Sequence, residues 1–374
     1  MHKPLNVIVC GTRFGEHYLA ALTQDAGSRY RLAGILARGS ARSRGLAERL
    51  HVPLYHSVDQ LPDSIDIACV VVRSAIVGGD GSNLAKALLE RGMHVLQEHP
   101  AHPTDIARLQ GIAALHGRRY HVNSFYPHLP AGQRFIDYAR QSAAQRRPAF
   151  VEITTSLQLL YSSLDIVLRA LGGPGTQGAF SCSAPLPLPE PEGQEPWPFR
   201  SLQGRIAGVP FVLHLQTYLD PADPDHHSLV MHRLSMGGAE GQVTLVNSYG
   251  PVVWSHPIYA PDYAKDGIEA SYLLNPEAHQ ASRFNRQPTA LTFGPAHAPS
   301  LAQAVTQDFT QAIHAALDEL MDPHAAAHQP QWWEAHGQAW LGIMRAVGQP
   351  LLVSRPAPSA PCPDPLTFMQ EQMP

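Results

Sequence analysis

Two side chains in the first third of this sequence can manage a proton at neutral pH, and each stands behind an apolar run. His99 follows the run 94–97 in the triplet Glu98-His99-Pro100, and Tyr126 follows the run 120–124. An imidazole with an ordinary pKa of about 6.5 suits proton relay. A phenol is neutral at pH 7 and gives its proton when a cation or a hydrogen-bond chain stabilises the phenolate. A further constellation binds rather than reacts. Gly11-Thr12-Arg13-Phe14-Gly15 closes one apolar run and opens a helical pattern, where free backbone N–H groups can meet a pyrophosphate. It departs from G-x-G-x-x-G, with Arg13 at the middle glycine and Glu16 at the last, so its position at the first strand-to-helix junction carries the reading.

The end of the second apolar run bears on which dinucleotide is taken. A chain selecting NAD places an acid there for the ribose 2′-OH. This one reads Ala37-Arg38-Gly39-Ser40-Ala41-Arg42-Ser43, two cations flanked by hydroxyls, with Ser40 opening a helix. Guanidinium forks and hydroxyl donors suit a 2′-phosphate, so NADPH/NADP+ is the expected cofactor. The glycine-rich stretch 73–82 is expected to line the nicotinamide side, with Arg73, Ser74 and Glu98 as further cofactor contacts.

These residues need a scaffold that gathers strand ends. Apolar runs at Leu5–Cys10, 31–37, 67–72, 94–97 and 120–124 alternate with helical patterns at 15–23, Ala41–Leu50, 82–91 and 105–116. Strands regularly separated by helices predict a doubly wound parallel sheet of the Rossmann kind. Beyond residue 149 the pattern changes. A strand at 151–156 and a helix at 164–171 are followed by strands at 209–219, 229–236, 242–247 and 252–256, with a hairpin connection at 237–241. Strands without crossovers predict a mostly antiparallel open sheet in an α+β domain, closed by helices at 300–320 and 331–347. The expected units are a nucleotide-binding domain over 1–125, an α+β substrate and dimerisation domain over 126–348, and a proline-rich tail over 349–374. Prolines cluster at 185–198, six in fourteen residues, and at 356–365, five in ten; both read as extended surface segments.

Composition narrows the function classes. The 374 residues are 44% hydrophobic and 16% charged, which fits a folded chain large enough for two cores. Lys and Arg number 27 against 31 Asp and Glu, so no basic excess favours nucleic acid or an anionic membrane. Neither a signal-peptide pattern nor a run of about 20 apolar residues is found, and the four cysteines are scattered without C-x-x-C. A soluble cytoplasmic protein with free thiols is expected. The 21 histidines show no H-E-x-x-H, so scattered surface histidines, and no metal, are expected. Trp332-Trp333 reads as a packing anchor for the last helix.

A strand ending in Glu-Lys-Pro after such a turn marks the glucose–fructose oxidoreductase/inositol dehydrogenase (Gfo/Idh/MocA) family, whose lysine lies beside nicotinamide and substrate. Here His99 replaces that lysine. The family's Asp-x-x-x-His pair, aligned on Asp165, falls on Gln158 and Ser162. Within the family, six fragments resemble the thiazolinyl imine reductases of siderophore assembly lines of the yersiniabactin and pyochelin type. They are Gly11-Thr12-Arg13-Phe14-Gly15-Glu16, Gly39-Ser40-Ala41-Arg42-Ser43, Val71-Val72-Arg73-Ser74, Gln97-Glu98-His99-Pro100, Phe125-Tyr126-Pro127-His128, and Gln158-Leu159-Leu160-Tyr161-Ser162 leading into Leu164-Asp165. The resemblance implies a thiazoline carried as a thioester on the phosphopantetheine arm of a carrier domain, reduced at C=N by NADPH, and a homodimer. Hydride at the imine carbon leaves charge on nitrogen, so a proton donor must stand there. Tyr126 is assigned as the direct donor and His99 as its orienting or proton-supplying partner, with the reverse as the alternative. A sugar or polyol dehydrogenase and a non-catalytic NADP(H)-binding sensor are the competing readings.

Overall fold

The computed structural model describes residues 3–24, 29–74, 78–173, 180–188, 197–223, 229–257, 273–277, 286–354 and 360–372. Parts of the stretch 73–82, of both proline clusters and of the tail therefore lie outside the described residues, as do His226 and His227.

The first sheet is built from β1 (Leu5–Cys10), β2 (Tyr30–Leu36), β3 (Leu54–Tyr55), β4 (Ile67–Val70), β5 (His94–Glu98) and β6 (Tyr120–Asn123). All pairs are parallel and the order is β3-β2-β1-β4-β5-β6. The crossovers carry helices α1 (Gly15–Gln24), α2 (Ala41–Leu50), α3 (Gly81–Glu90) and α4 (Pro103–Leu115). Val7, Ile8, Val9 and Cys10 of β1 and Ile67, Ala68, Cys69 and Val70 of β4 are all fully buried. Strands covered on both faces lose the polar alternation of half-exposed ones. Burial pushes the Cys10 thiol up to about 12, so it stays protonated and unreactive.

A parallel sheet places every strand's carboxyl end on one edge. The turns after β1, β2, β4, β5 and β6 meet there, and with them Gly11, Arg42, Ser74, His99 and Tyr126.

From β6 the chain enters α5 (Pro130–Gln145), then β7 (Phe150–Ser156) and α6 (Leu160–Ala170). The second sheet adds β8 (Ser181–Cys182), β9 (Phe199–Ile206), β10 (Val209–Gln216), β12 (His232–Gly238), β13 (Gly241–Leu245), β14 (Val252–Ser255) and β15 (Ala290–Phe293), in the order β15-β14-β13-β12-β7-β10-β9-β8. Only β7 and β10 pair in parallel; the rest are antiparallel. Alternation along β10 buries Phe211, Leu213 and Leu215 and exposes Val212 and His214, so one face packs on α5 and α6 and the other is open.

Several boundaries differ from the sequence reading, four of them for a local reason that the structure shows. Strand β9 was not expected, because FRSLQGRI carries only Leu202 and Ile206 as buried apolar residues and follows a proline cluster. It is held by full antiparallel pairing with β10 across the Ala207-Gly208 turn. The expected strand 209–219 breaks at Thr217, and its end β11 (Tyr218–Leu219) pairs in parallel with β16 (Leu351–Leu352). Helix α6 begins at Leu160 rather than 164, which places Asp165 in mid-helix. The last long helix begins at Pro323, capped by Asp322, and runs through Pro330 to Val347.

Two helices after the second sheet return to the first. α7 (Phe309–Met321) packs on α1, and α8 (Pro323–Val347) lies on α4 and α6. A Cβ at Gly337 of α8 would stand 2.4 Å from Cγ of Pro103, so glycine permits that close approach. A short helix α9 (Pro365–Gln372) ends the described chain. No helix among the described residues is long and apolar enough to cross a membrane.

Candidate active site at the carboxyl edge of the first sheet

The turn after β1 fits a pyrophosphate. Gly11 has φ +96°, and a Cβ there would lie 2.5 Å from the Val71 carbonyl oxygen. Only glycine allows that backbone path beside β4. At Gly15 a Cβ would sit 3.3 Å from Val9 Cγ1, so its absence brings the start of α1 close to β1. Thr12 and Arg13 form the rim, and Phe14 packs edge-on against Phe125, with ring centroids 5.4 Å apart.

At the end of β2, Gly39 (φ +82°) turns the chain into α2, and the Ser40 hydroxyl accepts the Ser43 N–H at 3.2 Å. Arg42 reaches back to the first turn. Its Nε donates to the Thr12 carbonyl at 2.9 Å and its guanidinium pairs with Glu16. Arg38, Ser40 and Arg42 are exposed at this corner. Ser43 is not: it is fully buried and returns its hydroxyl to the Ser40 carbonyl at 3.0 Å, shaping the cap. Ser74 also turns inward, donating to the Pro100 carbonyl at 2.5 Å and joining the loops after β4 and β5, while Arg73 stays exposed.

A hydrogen-bond chain runs from the residue before Tyr126 to His99. The Phe125 N–H donates to Asn123 Oδ1 at 2.8 Å, the Asn123 amide donates to the Tyr18 hydroxyl at 2.6 Å, and Tyr18 donates to Glu98. The other Glu98 oxygen lies 3.1 Å from His99 Nδ1, which also stands 3.1 Å from the Asn123 carbonyl. His99 is stacked on Tyr161 at 5.7 Å and lies 6.4 Å from the Tyr126 ring. Burial first, then Tyr249 and Glu98, raise the Tyr126 pKa, so its phenol stays protonated well above neutral pH.

Tyr126 is held by an unusual backbone. Phe125 has φ +66° and ψ −61°, and the Tyr126 N–H donates to the Ser124 carbonyl at 2.8 Å. This is the positive-φ γ-turn, a conformation that costs on the order of 1–3 kcal/mol and persists where its surroundings enforce it. Phe125 is fixed among Phe14, Tyr126 and Phe309, and the Ser124 hydroxyl donates to Asp165 of α6.

Two family descriptions match this chain. Residues 5–124 match the oxidoreductase family with an NAD-binding Rossmann fold, Gfo/Idh/MocA, and residues 146–255 match the C-terminal domain of Irp3-like thiazolinyl imine reductase. The chain is an oxidoreductase with an NAD(P)-binding Rossmann fold and an Irp3-like C-terminal domain. Among curated proteins nothing matches it. Similar solved structures include GenD2 from gentamicin A biosynthesis in complex with NAD, at 15% identity and TM-score 0.62 over 92% of this chain and 95% of that one. UDP-N-acetylglucosamine 3-dehydrogenase GnnA from Acidithiobacillus ferrooxidans matches at 15% identity and TM-score 0.58, over 93% and 100%. KijD10, a 3-ketoreductase from Actinomadura kijaniata in complex with NADP and TDP-benzene, matches at 14% and 0.58, over 94% and 100%. At such identities the likeness shows the fold alone.

In this oxidoreductase the expectation of surface histidines fails at four positions. His121, His128, His232 and His336 are all buried. Each lies on an element whose neighbours are apolar, and a histidine count carries no burial signal. The His336 Nε2–H donates to the Tyr161 carbonyl at 2.8 Å, and its ring packs on the Tyr161 ring that stacks on His99. Trp333 is buried between Tyr161 and His121, as an anchor should be. His232 touches Tyr126 directly, with ring centroids 4.4 Å apart.

His121 and His128 converge with Glu319 of α7, their ligand-capable atoms within 4.8 Å of one another. Arg169 already supplies positive charge there, holding both Glu319 oxygens at 3.0 Å. Burial alone would raise Glu319; Arg169, then His121 and His128, hold it well below the usual carboxylate range. Burial lowers His128 to about 4 against the pull of Glu319. The sign for stability follows. Between the ordinary value of 6.5 and about 4, the unfolded chain binds a proton that the folded chain refuses, so stability falls as pH drops through that window. His128 contributes up to about 3 kcal/mol to that loss. Urea unfolding of His128→Asn at pH 4.5 and pH 7 should show a smaller difference than the parent; an equal difference contradicts the assignment.

Proposed function

We propose that this oxidoreductase reduces the C=N bond of a thiazoline, held as a thioester on the phosphopantetheine arm of a carrier domain, to a thiazolidine. The observation that carries the reading is the Irp3-like match over residues 146–255, the part of the chain that supplies the second-lobe wall around Tyr126. The site supports it chemically: an imidazole and a phenol stand at the sheet edge where the family's lysine amine is expected.

When bound, NADPH supplies the hydride that reaches the imine carbon. The residues that would hold it are Gly11, Thr12, Arg13, Phe14 and Gly15 at the pyrophosphate, Arg38, Gly39, Ser40 and Arg42 at the 2′-phosphate, and Arg73 and Glu98 toward the nicotinamide, with Ser43 and Ser74 shaping the loops. Tyr126 keeps its proton at neutral pH and yields it to the ring nitrogen as negative charge develops there. His99, tied to Glu98 and to the Asn123 carbonyl, has the proposed role of orienting the phenol and returning its proton. The product gains one C–H and one N–H bond.

Preference for NADPH rests on the corner after β2, which offers Arg38 and Arg42 without a carboxylate of its own. Arg42→Ala should weaken NADPH by about tenfold or more while NADH changes little, as fluorescence titration of each would show. An equal loss for both cofactors contradicts the assignment.

The open face of the second sheet, with Val212 and His214 exposed, is the surface proposed for a second copy of the chain. The whole reading is tested by following NADPH absorbance with a thiazoline thioester mimic and with free sugars. Stoichiometric oxidation with the mimic alone supports it. Turnover of sugars supports a sugar dehydrogenase instead, and binding without any turnover supports a sensor.

A further inference from the structure

We propose that His232 is a positioning residue for Tyr126, an inference that rests on the proton-donor reading above and extends it into the second lobe. His232 opens β12 opposite Thr155 of β7 and is fully buried. Its ring lies nearer to the Tyr126 ring, at 4.4 Å, than the rings of Phe125 at 5.4 Å or His99 at 6.4 Å.

Both ring nitrogens are engaged. Nε2 lies 2.8 Å from the Ser162 hydroxyl on α6, and Nδ1 lies 2.8 Å from the Ser248 hydroxyl beyond β13. The Ser162 hydroxyl also donates to the Leu159 carbonyl at 3.1 Å. A hydroxyl has one proton, so Ser162 accepts from Nε2–H and Ser248 donates to Nδ1. That pattern selects one neutral tautomer and locks the ring plane, because a rotation breaks both bonds at once.

The arrangement calls for an imidazole, not merely for bulk. A phenylalanine at 232 could pack on Tyr126, yet it would leave the buried hydroxyls of Ser162 and Ser248 without that partner. Ser162, Ser248 and His232 come from three separate elements of the second lobe, while Tyr126 follows the last strand of the first. The clamped ring thus transmits the placement of α6 and of the loop after β13 to the phenol. Ser162 is also the position onto which the family's Asp-x-x-x-His histidine aligned, so an imidazole from β12 stands against the residue that replaces it.

Steady-state kinetics with NADPH and the thiazoline thioester mimic test the claim. His232→Phe should lower kcat by about tenfold with the NADPH KM unchanged, and Ser248→Ala by about threefold. In a Tyr126→Phe background, where no phenol remains to be placed, His232→Phe should cost less than about twofold more. The same factor in both backgrounds overturns the proposal, because a general folding role would persist without the phenol. If His232→Phe does not fold, the Ser248→Ala comparison in the two backgrounds decides. A second readout needs no substrate. With 13Cζ-labelled tyrosine, the resonance missing in Tyr126→Phe should move in Ser162→Ala and Ser248→Ala. An unmoved resonance overturns the proposal, whereas a moved one with no thiazoline turnover upholds the contact and overturns only the proposed reaction.

Discussion

Tyr126→Phe should lower kcat by about 100-fold or more while NADPH affinity holds, the loss general acids commonly produce when removed. In the proposed reaction the phenol's proton is the one the ring nitrogen receives, and burial keeps that proton in place at working pH. The ring that packs on Phe125 and His232 survives the substitution, so the turn need not collapse. Steady-state turnover of the thioester mimic, beside a fluorescence titration of NADPH, checks both halves. Near-normal turnover would remove Tyr126 from the chemistry and leave His99 as donor.

The second large effect is on stability. Arg169→Ala should destabilise the fold by about 3 to 5 kcal/mol, the cost of leaving buried charge without its partner. Arg169 binds Asp165 through Nε at 3.0 Å, holds both Glu319 oxygens and stacks over Trp332 at 5.4 Å. Asp165 is 1% exposed, so water cannot replace the lost cation. Asp165 also receives the hydroxyl of Ser124, the first residue of the γ-turn that presents Tyr126. The variant that folds should therefore lose kcat as well. Urea unfolding beside turnover measures the two effects; a change under about 1 kcal/mol contradicts the role assigned to the network.

How much of this could be read from the residues varies with the range of the interactions. The first sheet was legible because its strands are buried on both faces and read as Val- and Ile-rich runs, and its cofactor turn declared itself through Gly11 at a strand end. Tyr126 and His99 could be placed for the same reason, since a parallel sheet brings its carboxyl ends together. Strand β9 was not legible: its two apolar anchors, Leu202 and Ile206, show no period long enough to notice, and pairing with β10 holds it. The four buried histidines were missed because polarity alone says nothing of burial. For His232 a signal existed in the alternation of β12, where His232, Leu234 and Met236 share the inward face. The Asp165–Arg169–Glu319 network joins residues 150 positions apart, and only the return of α7 to the first lobe brings them together.

The most direct test of the account follows one hydrogen. The purified protein is given NADPH carrying deuterium at the transferable C4 position, together with a carrier-loaded thiazoline, and the released thiazolidine is examined by mass spectrometry and NMR. A single deuterium on the former imine carbon is the predicted result, with the new N–H drawn from solvent. Recovery of unreduced thiazoline from a protein that binds NADPH, or deuterium delivered only to a sugar carbonyl, would contradict it.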